Sequence, residues 1–96
     1  MGKLTDGEIE SGLAELPGWA GGADEISKEY RLATFKDAVS FVVRLSYEAE
    51  ARNHHPDLEV HYNRVKVTLS THSEGGVTAK DLDLASAIEG LGPGVA

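Results

Sequence analysis

The chain has 96 residues, enough for one compact domain and too few for two ordinary ones. Nine Lys and Arg stand against 16 Asp and Glu, a net charge of −7, which argues against a surface that tracks nucleic-acid phosphates or docks on anionic lipid. With no cysteine there is no disulfide, no thiolate nucleophile and no Cys-based zinc site.

Met1-Gly2-Lys3 runs straight into a helical pattern without a basic-then-apolar leader, and no apolar run approaches membrane-spanning length. The expectation is a soluble, cytoplasmic protein forming one domain over residues 1–96. Thr5-Asp6-Gly7-Glu8 has the form of a capping box. Ile9, Leu13 and Leu16 continue it as one apolar helical stripe, which Pro17-Gly18 should stop. Trp19 reads as a core anchor on a short edge strand. After the turn-rich link Gly21-Gly22 and Asp24, Ile26, Tyr30 and Leu32 alternate with Ser27, Glu29 and Arg31 as in a strand with one buried face. Lys28 spoils that alternation.

Thr34 should cap a long helix over 34–52, with Phe35, Ala38, Val39, Val42, Leu45, Ser46 and Ala49 as its core stripe. Phe41, Val43 and Tyr47 extend the apolar surface beyond one stripe, which favours contact with a second copy of the chain. Asn53 is suited to a left-handed stop, and Pro56 forbids continuation. Leu58, Val60 and Tyr62 then face one way and Glu59 and His61 the other. A turn at Asn63-Arg64 leads to the clearest strand, where Val65, Val67 and Leu69 alternate with Lys66, Thr68 and Ser70. Thr78-x-x-Asp81 opens a last helix through Leu82, Leu84, Ala85, Ile88 and Glu89, and residues 90–96 read as a loose tail. The order α-β-β-α-β-β-α, with short links between strands, predicts an α+β fold: a four-stranded antiparallel sheet with three helices on one face.

All four histidines fall between positions 54 and 72. Histidine titrates nearest neutral pH, so such a cluster points to proton transfer or metal binding. The metal reading is the weaker. His54 and His55 are adjacent at a helix exit and should splay apart, His61 faces solvent, and no HExxH-type helical pair is present. Ser70 and Thr71 lie near His72 without a nucleophile-elbow glycine pattern, so they read as strand-end hydroxyls. Acid–base chemistry fits better, with His54 and His72 converging if the helix exit lies over the end of the last strand. Glu50, one helical turn before His54, is placed to orient or tune that imidazole. Asp81 can stabilise the free amides of the last helix and still fix a histidine by hydrogen bonding.

The combination Glu50, His54-His55-Pro56, Tyr62-Asn63, Thr71-His72, Gly76, Thr78 and Asp81, with Leu16 and Gly18-Trp19 upstream, resembles the pterin-4a-carbinolamine dehydratase family, also known as dimerisation cofactors of a homeodomain transcription factor. The resemblance spans nearly the whole chain. Leu58 departs from it, standing where animal members carry a large aromatic, and the link around Gly21-Gly22 is plainer than usual.

The resemblance implies a concrete reaction: loss of water from a 4a-hydroxytetrahydropterin to give a quinonoid dihydropterin, with no metal or organic cofactor. It implies that His54 and His72 form the proton-transfer pair, and that His55 holds the pterin and shares in acid function. Glu50 and Asp81 would orient imidazoles or contact substrate, Pro56 would rigidify the turn, and backbone groups from Thr71 to Ser73 would bind the pyrimidine edge. It also implies a homodimer or homotetramer, and an aromatic amino acid hydroxylase in the same pathway. The alternative is a non-catalytic family member that binds or assembles other proteins; retention of the acidic residue, the three motif histidines and the aspartate favours the enzyme.

Overall fold

The computed structural model describes residues 2–92. Three helices and four strands follow in the expected order: α1 (Asp6–Leu13), β1 (Ala20–Gly21), β2 (Ile26–Arg31), α2 (Phe35–Arg52), β3 (Asp57–His61), β4 (Arg64–Leu69) and α3 (Ala79–Gly90). The strands form one antiparallel sheet in the order β1-β2-β4-β3. Period-two alternation gives that sheet two unlike faces. Ile26, Tyr30, Val65, Val67 and Leu69 are buried under the helices, whereas Glu29, Arg31 and Lys66 are exposed on the other face. No helix among the described residues is long and apolar enough to cross a membrane.

Helix α1 has the full capping box of Thr5 and Glu8, but it ends at Leu13 rather than running to Pro17. Leu16 is buried all the same, because turns after the helix carry it back to the core. Gly12 lets α1 lie close on α3: a Cβ there would stand 2.6 Å from the Leu82 side chain. Trp19 is buried immediately before β1, as expected of a core anchor.

Helix α2 keeps its expected bounds, with Thr34 as N-cap and Asn53 as a left-handed C-cap at φ 48°. Its core face keeps Ala38, Leu45 and Ala49 of the stripe read off the sequence, with Val42 packed against it, and takes Phe41 in place of Phe35, Val39 and Ser46. Ala38, Phe41, Leu45 and Ala49 are buried, while Phe35, Val39, Val43, Ser46 and Tyr47 are exposed. Both stripes have helical spacing, so periodicity could not choose between them; the fit of Phe41 against Tyr30, with ring centroids 4.8 Å apart, does.

The β3–β4 turn sits at Tyr62-Asn63, one residue before the expected place, because His61 pairs with Arg64. Asn63 fastens this turn to the end of β2: its side-chain amide donates to the Leu32 carbonyl at 3.0 Å. Tyr62 therefore does not continue the inward face of β3; it is 70% exposed and holds a positive φ of 55°. The tail expected from residue 90 does not begin there. Gly90 belongs to α3, Leu91 caps it and packs on the core, and residues 93–96 lie outside the described residues.

Lys28, the residue that broke the strand pattern, faces inward at the rim of the core. Its ammonium pairs with Glu89 of α3 at 2.7 Å. The same Glu89 oxygen accepts from the Trp19 indole at 3.2 Å and from the Tyr30 hydroxyl. Burial opposes ionisation of Glu89, but the hydrogen bonds from Lys28, Tyr30 and Trp19 outweigh it and hold the carboxyl below its ordinary value of 4.5. A depressed folded-state value contributes stability above pH 4.5 that is lost as pH falls through the folded value. Glu89→Gln is therefore expected to flatten the acid limb of a melting-temperature profile between pH 7 and 3. Parallel profiles for the two proteins would show that this carboxylate does not control acid unfolding. Burial first, and then the bond to Glu89, push the Tyr30 phenol far above its ordinary 10.0. Its contribution is present below pH 10 and is lost on the alkaline side.

Candidate active site

The exit of α2 sets the direction of two histidines. Asn53 donates its amide to the Glu50 carbonyl at 3.1 Å, and the His54 amide reaches back to the Ala49 carbonyl at 3.1 Å. With a left-handed Asn53 between them, these two bonds make a Schellman stop. The chain reverses there, so His54 and His55 leave the helical path and diverge. The His54 ring turns inward, 11% exposed, and its Nε2 lies 2.6 Å from Oδ1 of Asp81. The His55 ring stays outside, 55% exposed, and its Nε2 lies 2.5 Å from Oε2 of Glu50.

This geometry revises the expected role of Glu50. One helical turn would have placed it beside His54, but the helix ends at Arg52, so that spacing no longer applies at residue 54. Glu50 engages His55, and Asp81 takes the place beside His54. Pro56 follows with a trans peptide bond and leads directly into β3.

The third histidine comes from the end of β4. After Leu69, the Ser70 hydroxyl donates to the Asp24 carbonyl at 2.7 Å. Thr71 pairs across a closed loop with Gly76, and the loop between them holds a single 3-10 turn, His72–Glu74. Gly76 is required by close approach, since a Cβ there would stand 2.4 Å from the Ala23 carbonyl oxygen. The loop is therefore pinned at both ends and presents His72 at the surface.

Helix α3 supplies the carboxylate. Thr78 and Asp81 form the capping box, in which Asp81 Oδ2 accepts the Thr78 amide at 2.9 Å. The Thr71 hydroxyl donates to the same oxygen at 2.8 Å. Asp81 is wholly buried, and its capping position aims the free oxygen at His54. One residue thus closes a helix end and holds an imidazole.

His54, His55 and His72 line one cavity of about 260 Å³, together with Thr71, Ser70, Ser73, Asn53 and Lys80. Two segments separated by a whole hairpin meet there. Every expected site residue from His54 to Ser73 lines the cavity except Pro56, while Glu50 and Asp81 stand behind His55 and His54. Lys80 and Asn53 also line the cavity, and Thr78 is buried behind Thr71, beyond the residues that the sequence marks as the site. The capping pattern Thr78-x-x-Asp81 was the available signal for Thr78, and nothing in the spacing marked Lys80.

A larger groove of about 480 Å³ runs between α1 and β1, lined by Asp6, Glu10, Ile9, Leu13 and Trp19. It contains no histidine, and the Trp19 indole N–H is already engaged by Glu89. The smaller cavity is the one that gathers three of the four histidines.

Comparison with known proteins identifies the family. The family model described as Pterin 4 alpha carbinolamine dehydratase matches residues 2–91. A Roseiflexus castenholzii protein is 45% identical over 86 residues, covering 90% of this chain and 92% of its own length. An Opitutus terrae protein is 51% identical over 87 residues, covering 90% of each. Both carry pterin-4-alpha-carbinolamine dehydratase as a provisional name. A crystallised Brucella melitensis protein, described as a transcriptional coactivator/pterin dehydratase, superposes with a TM-score of 0.87 at 36% identity, covering 93% of this chain and 97% of that one. A pterin dehydratase-like protein described as a RuBisCO assembly factor of the alpha-carboxysome shares the fold, with a TM-score of 0.64 at 16% identity over 79% of this chain and 88% of its own. With the family model matching residues 2–91 and relatives 45% and 51% identical over 90% of the chain, the chain belongs to the pterin-4-alpha-carbinolamine dehydratase family.

Proposed function

We propose that the His54–His55–His72 cavity dehydrates a 4a-hydroxytetrahydropterin to the quinonoid dihydropterin. The observation that carries the reading is the meeting of histidines from two distant segments in one cavity, with a buried carboxylate behind His54. Hydroxide is a poor leaving group. One imidazolium of the His54/His72 pair protonates the 4a-hydroxyl, the carbon–oxygen bond breaks, and water departs. The other imidazole accepts the proton lost from the ring nitrogen as the new double bond forms. His55, held by Glu50, and backbone groups from Thr71 to Ser73 bind the heterocycle. The reaction needs no resident metal or organic cofactor. Its substrate is the product of an aromatic amino acid hydroxylase, and the enzyme returns the pterin to a form that can be reduced again in the cytoplasm.

Phe35, Val39, Val43 and Tyr47 recur at intervals of four and form an exposed apolar stripe along α2. This stripe supports a homodimer or homotetramer built through α2. It also keeps open a protein-binding role of the kind named for the Brucella melitensis relative, beside catalysis or in its place.

The test is the ultraviolet absorbance of freshly generated 4a-hydroxytetrahydropterin with and without the protein, before and after dialysis against a chelator. Acceleration that survives dialysis is expected. Equal decay with and without protein would leave the assembly role as the better reading, and loss on dialysis would require a metal.

A further inference from the structure

We propose that Thr71 is a positioning residue, oriented by Thr78, whose hydroxyl locks Asp81 so that His54 presents Nδ1 to the cavity. The inference deepens the dehydratase reading and rests on it for its kinetic arm.

As a carboxylate, Asp81 only accepts hydrogen bonds. Oδ1 lies 2.6 Å from His54 Nε2, so Nε2 carries the ring proton. Oδ2 accepts from the Thr71 hydroxyl at 2.8 Å and from the Thr78 amide at 2.9 Å. A threonine hydroxyl has one proton, and that of Thr71 points at Asp81. The 2.8 Å contact between the two threonine hydroxyls must then be donated by Thr78. Thr78 in turn accepts the Lys80 amide at 3.2 Å. Each proton in the chain therefore points towards Asp81.

Burial makes this arrangement hard to scramble. Thr71 is 4% exposed, Thr78 1% and Asp81 0%. Reversing any link leaves a buried donor or acceptor unmatched, and no buried side-chain polar atom among the described residues lacks a partner. With Asp81 fixed, the alternative His54 tautomer would set a nitrogen lone pair against a carboxylate oxygen. His54 Nδ1 has no protein partner among the described residues and is not a buried orphan, so it is open to solvent, and His54 is a lining residue of the cavity. It is the nitrogen left to exchange a proton with a ligand.

Nitrogen-15 correlation spectra of histidine-labelled protein test this directly, at a pH where the His54 ring is neutral. The wild type is expected to show one tautomer, protonated at Nε2. Thr71→Val, which keeps the shape and removes the hydroxyl, should give a mixture of tautomers. It should also lower kcat about tenfold, the scale of one hydrogen bond to a charged group, with KM changed less than about twofold. Thr71→Ser should restore both readouts. Should Thr71→Val not fold, Thr71→Ala removes the same hydroxyl and is read in the same way. A wild-type His54 protonated at Nδ1, or a hydroxyl-free variant with unchanged tautomer and kcat, would overturn the proposal. If the tautomer mixes as expected while even the wild type dehydrates no pterin, the positioning chain stands and the dehydratase reading falls.

Discussion

A His54→Ala, His72→Ala double variant is expected to lose about 10²–10⁴ of the dehydration rate, the usual contribution of a well-placed acid–base group. The two rings come from different segments but line one cavity, so removing both empties it of its proposed proton-transfer pair. The fold should survive. His72 is exposed on its loop, and loss of the His54 ring leaves Asp81 two of its three donors, the Thr71 hydroxyl and the Thr78 amide. Single-turnover kinetics on protein of confirmed circular dichroism is the measurement. Retention of the wild-type rate would remove these two side chains from the mechanism, whatever the single variants do. His55, bound outside by Glu50, should matter more to substrate affinity than to the chemical step.

Asp81→Ala carries the largest expected effect on stability. The carboxylate closes the α3 capping box, accepts the Thr71 hydroxyl and holds His54. Loss of the cap costs about 1 kcal/mol, and each buried donor left without an acceptor costs about 1–3 kcal/mol. A total of about 3 kcal/mol is expected in urea unfolding, a large share of the roughly 5–15 kcal/mol that holds such a domain together. Asp81→Asn separates the two roles. It keeps the volume and one acceptor, so stability should recover in part, while the amide nitrogen cannot accept the bonds that fix the His54 ring. Activity should stay low in that variant. An Asp81→Ala protein as stable as the wild type would mean that the helix start and the Thr71 hydroxyl find other partners at no cost.

The neighbourhood of His54 shows how far residue spacing reaches. The stop at Asn53 was legible, because a left-handed Asn followed closely by Pro56 ends a helix by local sterics alone. What lay beyond the stop was not. The four-residue step from Glu50 to His54 has meaning only on a continuing helix, and the Schellman reversal hands Glu50 to His55 instead. The partner that His54 does take is 27 residues away, and only packing of α3 against α2 and the end of β4 brings it there. Lys28 shows the same limit in the sheet: it breaks the alternation because Glu89, 61 residues on, waits at the rim of the core.

From its own residues the chain determined the element order, the caps at Thr5, Thr34 and Thr78, the inward faces of β2 and β4, and the histidine motif that marks its family. Those features follow from short-range sterics, period and local hydrogen bonding. The tertiary structure decided which apolar stripe of α2 is core, which carboxylate serves which histidine, and that His54 and His72 share a cavity. Each of those outcomes depends on contacts between segments far apart in the chain, where the packing of Phe41, Asp81 and the Thr71–Gly76 loop selects among arrangements that local pattern leaves equal.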